Sequence, residues 1–327
     1  MDQQKLLSLL MQDEYVSGAW ISRQLGVTRA GIWKAIESLR AQGCQIESAH
    51  RRGYRLVPPE NAVWPSCIRK YLRTKWVGQR IDYYDTIDST NLAARQLGQL
   101  SAALAPHGTL IVADEQTQGR GRINRTWQSK PGDAALMSLL LRPEACLPPE
   151  SVCFVMISAL AVCDVCRSFG ADAAIKWPND IVCGGKKICG MLLDMSIEMD
   201  YIHCAVVGVG LNIAGYPYAD DLRHASCLNE VTGKALNRAE VIARFLEEFE
   251  RWYDRWAVGG VDALLPDYCA RCVTIGSRVQ VVGLKETFEG EALRVTPDGS
   301  LLVRRDDGAE IPVHAGDVSV RGVMGYA

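Results

Sequence analysis

Apolar positions recur every three to four residues in "QKLLSLLMQ", which sets Leu6, Leu7, Leu10 and Met11 on one side of a helix. The same period returns twice in "SGAWISRQLGVTRAGIWKAIESLRAQG", broken at Gly26-Val27. Thr28 stands where the second of these helices needs an N-cap, and Gly43 where it must stop. The period then changes to two in "CQIESAHRRGYRLV", with Gly53 at a turn, the signature of a short β-hairpin. Helix, helix-turn-helix and hairpin in that order predict a winged helix-turn-helix over residues 1–60. The stretch "VPPEN" reads as a rigid linker behind it.

Beyond the linker, over residues 66–268, the pattern mixes both periods. "TLIVADEQ", "ALMSLLLRP", "AAIKWPNDIVC", "KKICGMLLDMS" and "YIHCAVVGVGLNI" are strand-like, whereas "STNLAARQLGQL", "ESVCFVMISALAVCDVCRSFG" and "RAEVIARFLEEFERWYDRW" are helical. Strands come in neighbouring groups and not in strict β–α–β alternation, which predicts an α+β domain around a mixed sheet. The glycines of Val207–Gly210 lack a third partner and run toward Pro217, so they do not make a dinucleotide fingerprint. Residues 272–327 are short alternating runs separated by turn chemistry at Pro297-Asp298-Gly299 and Asp307-Gly308, a small β-barrel. The whole is a multi-domain α+β chain.

Charge refines this picture. The 327 residues carry a formal net charge of −2, which excludes a chain that is a polyanion-binding surface throughout. Residues 1–58 hold eight basic and five acidic side chains, a local balance of +3. Arg29 and Lys34 on the second helix of the Gly18–Glu37 helix-turn-helix, with Thr28 at its start, are available to phosphates and base edges. Arg51 and Arg52 sit at the hairpin tip, so this module is a candidate DNA reader.

Twelve cysteines are spaced irregularly, several within apolar runs, as reduced core thiols would be. Two C-x-x-C pairs, Cys163/Cys166 and Cys269/Cys272, lie too far apart for a compact zinc module, and no metal site is expected. The longest apolar run, Val152 to Val162, is short for a bilayer span and ends at Asp164. The N-terminal stretch lacks the charge pattern of a signal peptide. These features predict a cytoplasmic protein without a membrane partner.

Four segments of the middle domain carry candidate chemistry: Asp88-Ser-Thr-Asn91, Gln116 through Trp127, Lys176-Trp-Pro-Asn-Asp180 and Lys187-Ile-Cys-Gly190. Singly, each has an ordinary explanation as a helix cap, a surface loop, a turn or a hairpin tip. The stretch "GRGRINRTW" is more pointed. Glycines let backbone N–H groups come close to an anion, and arginines supply bidentate donors. In this order and spacing, with the helix-turn-helix ahead of them, the four segments closely resemble the biotin–protein ligase family, and within it the bifunctional members that also repress the biotin operon. The resemblance extends over essentially the whole chain.

It implies a class II synthetase-like catalytic domain, a C-terminal SH3-like barrel and a two-step reaction. Biotin's carboxylate attacks the α-phosphate of ATP to give biotinyl-5′-AMP and pyrophosphate. A lysine of a biotin carboxyl carrier protein then takes the biotinyl group and AMP leaves. By carry-over, Ser89, Thr90, Asn91 and Gln116 face the neutral ureido ring, which calls for donors and acceptors in place of charge. Gly119 and Gly121 let the loop bend around the ligand, Arg120 and Arg122 meet carboxylate and phosphate, and Lys187 reaches the same anions. Trp127 is an apolar wall that keeps the adenylate dry. Lys176, Asn179 and Asn212 lie on the nucleotide side, and Asp180 orients or deprotonates the acceptor amine. Mg²⁺ accompanies ATP, with no ligand set readable.

The resemblance further implies a loop mobile when empty and ordered when filled, and biotinyl-5′-AMP as corepressor, with homodimers binding operator DNA. Two departures stand out: Asn124 where the family has glycine, and Ala134-Ala135-Leu136 where it has an Asn-Leu-Tyr-like run, which puts in doubt any polar or aromatic contact from that strand. Alternatives are a biotin-sensing repressor with little ligase activity, and a lipoate or octanoate ligase of the same catalytic fold.

Overall fold

The computed structural model describes residues 3–11, 14–123, 125–144, 146–216, 224–283, 287–315 and 318–322. The chain divides into two compact units, Met1–Tyr71 and Leu72–Ala327.

In the first unit, α1 (Gln3–Leu10), α2 (Gly18–Leu25) and α3 (Arg29–Ala41) precede a hairpin of β1 (Ile46–Ala49) and β2 (Gly53–Leu56), followed by α4 (Pro65–Arg69). Local chemistry sets each boundary. Ser17 caps α2 by accepting from the Trp20 N–H, and Gly26 ends it at φ 64°. Thr28 caps α3 by accepting from the Gly31 N–H at 3.2 Å, as the sequence predicts. Leu6, Leu10, Ile21, Ile32, Ile36 and Leu39 are buried together with Ile46 and Leu56 of the hairpin. Each such side chain contributes roughly 1.5–3 kcal/mol relative to exposure. Val16 and Tyr54 exchange backbone hydrogen bonds of 2.7 and 2.9 Å, so β2 is paired on both sides. Gly53, at φ 109°, is required by this pairing, because a side chain there would collide with the Val16 carbonyl.

The second unit contains β3 (Ile81–Ile87), α5 (Thr90–Gly98), β4 (Thr109–Gln116), β5 (Ala134–Leu141), α6 (Val152–Phe169), β6 (Ala173–Lys176), β7 (Asp180–Cys183), β8 (Lys186–Glu198), β9 (Tyr201–Asn212), α7 (Leu228–Thr232), α8 (Arg238–Gly259) and α9 (Leu265–Arg271). Its seven strands form one mixed sheet in the order β3-β4-β5-β9-β8-β7-β6. The β3–β4 pair is parallel and the others antiparallel. "AAIKWPNDIVC", strand-like throughout in the sequence, folds as two strands about a turn at Trp177–Asn179. Pro178 has no N–H to offer a ladder.

Helix α5 packs on β5 and β9 through Ala93, Ala94, Leu140, Cys204 and Val206. Helix α6 corrects the reading of its apolar run. With the preceding turn it spans Pro148–Phe169, 22 residues, long and apolar enough by length and composition to cross a membrane. It is nevertheless a core helix, buried from Met156 through Cys163 and packed against α8. Among the described residues no disulfide joins the cysteines, ten of which are buried. Burial pushes the Cys153 and Cys163 thiols up to about 12.

The C-terminal sheet holds β10 (Arg278–Gly283), β11 (Thr287–Val295), β12 (Leu301–Arg305), β13 (Glu310–Val313) and β14 (Val318–Gly322), all antiparallel, in the order β13-β12-β11-β10-β14. It is anchored to the WPND turn: the Trp177 indole donates to the Gly299 carbonyl at 3.0 Å and the Trp177 N–H to the Thr274 hydroxyl at 3.0 Å. This anchorage sets residues of the C-terminal domain beside the glycine–arginine loop, where Arg122 donates to the Ala315 carbonyl.

Candidate active site

The polar half of the site starts at the head of α5. Ser89 occupies the N-cap position, yet its hydroxyl does not cap the helix. The Asp88 carboxylate instead accepts from the Ser89 N–H at 2.8 Å, which leaves the buried Ser89 hydroxyl for another partner. Gln116, at the end of β4, accepts from the Thr90 N–H at 2.8 Å and the Thr90 hydroxyl at 2.9 Å. Asn91 donates to Asp194 at 3.0 Å, and the Ser138 hydroxyl lies 2.6 Å from its amide oxygen. The buried Ser89, Thr90 and Asn91 are thus brought together with the half-buried Gln116 in one polar row. Ser138 and Asp194 hydrogen-bond to this row and are not singled out by the sequence. The polar contact that β5 supplies comes from Ser138, beyond the Ala134-Ala135-Leu136 run.

The anionic half gathers on β7, β8 and the glycine–arginine loop. Lys187 Nζ lies 2.6 Å from the Asp180 carboxylate and 5.7 Å from the centre of the Trp127 ring. Trp127 lies on a floor made by Gly190 and Gly210, which face each other across β8 and β9. A Cβ on Gly210 would stand 2.5 Å from Trp127 Cε2, and one on Gly190 would stand 2.9 Å from Cζ3. Two glycines are therefore the condition for an indole at this depth. Lys186 is exposed and pairs with Glu230 at 3.5 Å.

The loop folds back on itself through backbone pairings. Gly119 and Trp127 pair at 2.9 Å, Arg120 and Thr126 form a bridge, and Gly121 donates to the Arg125 carbonyl at 2.7 Å. Neither Gly119 nor Gly121 has a positive φ. Gly119 is needed because a side chain there would strike the Trp127 carbonyl. The residue with left-handed geometry is Ile123, at φ 53°, while Asn124 lies outside the described residues.

The two arginines part ways. Arg122 donates to Asn179 Oδ1 at 3.0 Å and to the Ala315 carbonyl of the C-terminal domain. Burial lowers the pKa of its guanidinium and Asp180 raises it. Arg120 is exposed. Asn179 also donates to the Met191 carbonyl at 2.7 Å, tying the WPND turn to β8. Lys176 is buried, in register with Asp180 across the β6–β7 hairpin. Asn212 donates to the Ser226 carbonyl at 3.1 Å.

Among the described residues, Trp127 Nε1, Ser129 Oγ and Asn212 Oδ1 are buried side-chain atoms without a hydrogen-bond partner. Such atoms cost about 1–3 kcal/mol each, and two of them belong to residues expected to meet the nucleotide. Orphaned polar atoms on Trp127 and Asn212, the Lys187 ammonium over the Trp127 ring and the polar row of Thr90, Asn91 and Gln116 on the same sheet are the groups that an extended ligand, anionic in the middle and neutral at one end, would require.

In the first unit, Arg29 and Lys34 are exposed on α3, Thr28 serves as its cap, and Arg51 and Arg52 are exposed at the hairpin turn. Arg52 stacks on Tyr15 at 4.6 Å. Trp33, which the sequence reading passes over, is 56% exposed on the same helix.

Comparison with known proteins agrees with both parts. Residues 83–212 match the biotin/lipoate A/B protein ligase family, residues 2–55 a helix-turn-helix domain family, and residues 274–321 the biotin protein ligase C-terminal domain family. The bifunctional ligase/repressor BirA of Bacillus subtilis is 34% identical over 320 residues, 96% of this chain and 97% of that one. The biotin–[acetyl-CoA-carboxylase] ligase of Paracoccus denitrificans is 30% identical over 236 residues, covering 68% of this chain and 94% of that one. The fold also matches the biotin protein ligase of Aquifex aeolicus solved with biotin and ATP, with a TM-score of 0.62 at 23% identity over 75% of this chain and 99% of that chain. Ligase motifs on one sheet, a helix-turn-helix ahead of them and a relative matched almost end to end leave one conclusion: the chain belongs to the biotin–protein ligases, in their bifunctional ligase/repressor branch.

Proposed function

We propose that the chain activates biotin with ATP to biotinyl-5′-AMP and transfers biotin to a lysine of a biotin carboxyl carrier protein. The observation that carries this reading is the Lys187–Asp180 pair beside Trp127 on the Gly190–Gly210 floor, with the Thr90–Asn91–Gln116 row at the other end. A carboxylate oxygen of biotin attacks the α-phosphorus, the bond to the β-phosphate bridge breaks, and pyrophosphate leaves. Lys187 and Arg122 face the charge that grows on the phosphoryl oxygens, with Arg120 brought in from the loop. Gly119 and Gly121 keep the loop backbone close, and Trp127 excludes water from the mixed anhydride. Ser89, Thr90, Asn91 and Gln116 hold the ureido head, while Lys176, Asn179 and Asn212 serve the nucleotide. In the second step the acceptor amine attacks the acyl carbon and AMP leaves. Asp180 takes or orients the amine proton once ligand anions compete for Lys187.

Mg²⁺ accompanies ATP as its counter-ion. Among the described residues no group of three or more His, Cys, Asp or Glu side chains could hold a metal, so no protein cage is assigned to it.

The reading divides the chain at 1–60 for DNA binding, 66–268 for catalysis and 272–327 for a small SH3-like barrel. The bulge between Ala292 and Arg294 and the buried Val279, Val281, Leu301 and Val303 support the curvature of that barrel. Biotinyl-5′-AMP acts as corepressor: ordering of the loop around it favours homodimers that bind the biotin operon through α3, with Arg29 and Lys34 forward and Arg51 and Arg52 on the wing. The protein is cytoplasmic in this reading.

Pyrophosphate exchange into ATP tests the chemistry. Exchange with biotin supports the assignment, exchange with lipoate alone turns it into a lipoate ligase, and exchange with neither leaves a biotin sensor. A gel shift on the biotin-synthesis promoter, with and without biotin plus ATP, tests the repressor half.

A further inference from the structure

Ser138, Gly208 and Leu192 lie in one register across β5, β9 and β8. The Asn91 amide lies across this row, close enough that a side chain on Gly208 would collide with its oxygen. Its NH₂ group donates to Asp194 Oδ2 at 3.0 Å and toward the Leu192 carbonyl at 3.4 Å. A carboxylate and a carbonyl only accept, so the NH₂ end must face them and the oxygen must face Ser138. That oxygen can only accept as well. Ser138 therefore directs its single proton to Asn91 across 2.6 Å, and has none left for Thr90 at 2.8 Å. Thr90 must then be the donor, to Ser138 or to Gln116, and the lone pairs of its hydroxyl stay open to a ligand N–H.

We propose that Asp194 is a positioning residue that fixes the donor and acceptor sense of the head-group site, through Asn91 and Ser138 to Thr90. The inference rests on the ligase reading above, and it names how a neutral, N–H-bearing ring is told apart from a ring without such groups. A side chain at 194 that can donate releases the constraint: the Asn91 amide can turn over, the Ser138 proton can swing to Thr90, and the acceptor that the ring needs is then occupied by the protein itself.

The test uses the full chain with Asp194→Asn, nearly isosteric, in biotin-dependent pyrophosphate exchange. The KM for biotin should rise about tenfold while the KM for ATP stays within about twofold, as loss of an uncharged hydrogen bond to one substrate requires. Desthiobiotin, which keeps the ureido group and lacks the sulfur, should lose affinity by the same factor. Ser138→Ala should weaken biotin similarly, and the double variant should be no worse than either single one, because both act through one chain of protons. An unchanged KM for biotin, multiplicative losses in the double variant, or parallel loss of biotin and ATP with a lowered melting temperature would each overturn the proposal. A wild-type chain with no biotin-dependent exchange overturns the ligase reading and this inference with it. Exchange by wild type with an indifferent Asp194→Asn overturns this inference alone.

Discussion

The ammonium of Lys187 lies 2.6 Å from the carboxylate of Asp180, with the two side chains only 27% and 16% exposed. At this depth the pair is held by more than surface attraction, and each member keeps the other from being an unmatched charge. In the proposed reaction a ligand carboxylate or phosphate entering beside Trp127 competes with Asp180 for the same ammonium. Lys187→Gln should then slow pyrophosphate exchange by about 10²–10³-fold, the usual loss for one positioned charge donor. Asp180→Asn should spare exchange relative to carrier labelling. Comparing the two rates in both variants checks this, and equal losses in both steps for Asp180→Asn would remove its assignment to the second step.

The Gly190–Gly210 floor gives a second prediction. Gly210→Ala places a methyl 2.5 Å from Trp127 Cε2, against a ring that has backbone below it. The indole must lift toward solvent. A red-shifted tryptophan emission is expected, together with faster release and hydrolysis of biotinyl-5′-AMP, measured as AMP formed per biotin transferred. An emission spectrum identical to wild type would show that the floor does not set the ring's position.

The elements here were legible where local chemistry decides them. Thr28 and Gly26 mark helix ends by their own side chain or its lack, and the two periodicities separate α3 from its hairpin. The mixed sheet followed from strands grouped along the chain. What escaped depends on distance in sequence. Ser138 lies 47 residues from Asn91, and Asp194 lies 103 from it. In "ALMSLLL" the serine looks like a blemish in an apolar strand, and only the register with Gly208 gives it a partner. Arg122 meets Ala315 across 193 residues, which no motif records. "KWPND" reads as a site motif in the sequence, while its place as the turn that anchors the C-terminal sheet is visible only through the contacts of Trp177.

A third prediction concerns pH. His107 stacks on Trp76 at 4.4 Å, its Nδ1 accepts from the Arg142 N–H at 2.8 Å, and burial lowers its pKa to about 4. The folded protein thus keeps this ring neutral where the unfolded chain, with a pKa near 6.5, takes up a proton. Stability is full above about pH 6.5 and is lost as pH falls toward 4, by up to about 3 kcal/mol from this group. Urea midpoints measured from pH 7.5 to 4.5 should fall, and His107→Gln should flatten the part of that fall due to this ring. An unaltered pH slope in the variant would assign the acid sensitivity elsewhere.

The last prediction separates two kinds of contact on α3. Ile32, Ile36 and Leu39 are buried in the core of the first unit, whereas Trp33 is 56% exposed beside the exposed Arg29 and Lys34. Water gains nothing from a bare indole on a helix that must enter a groove, but the groove offers thymine methyls and sugar edges for it to cover. An apolar contact of this kind displaces no counter-ions. Trp33→Ala should therefore weaken operator binding about tenfold to a hundredfold at every salt concentration, leaving the slope of log affinity against log salt unchanged. Arg29→Ala should flatten that slope by about 0.9, one phosphate contact's worth. Binding isotherms between 50 and 200 mM salt, a span over which charge-driven binding changes by about 10³–10⁵-fold when six to ten phosphates are contacted, distinguish the two readily. If Trp33→Ala changes the slope, or leaves operator affinity untouched, the ring does not read the groove.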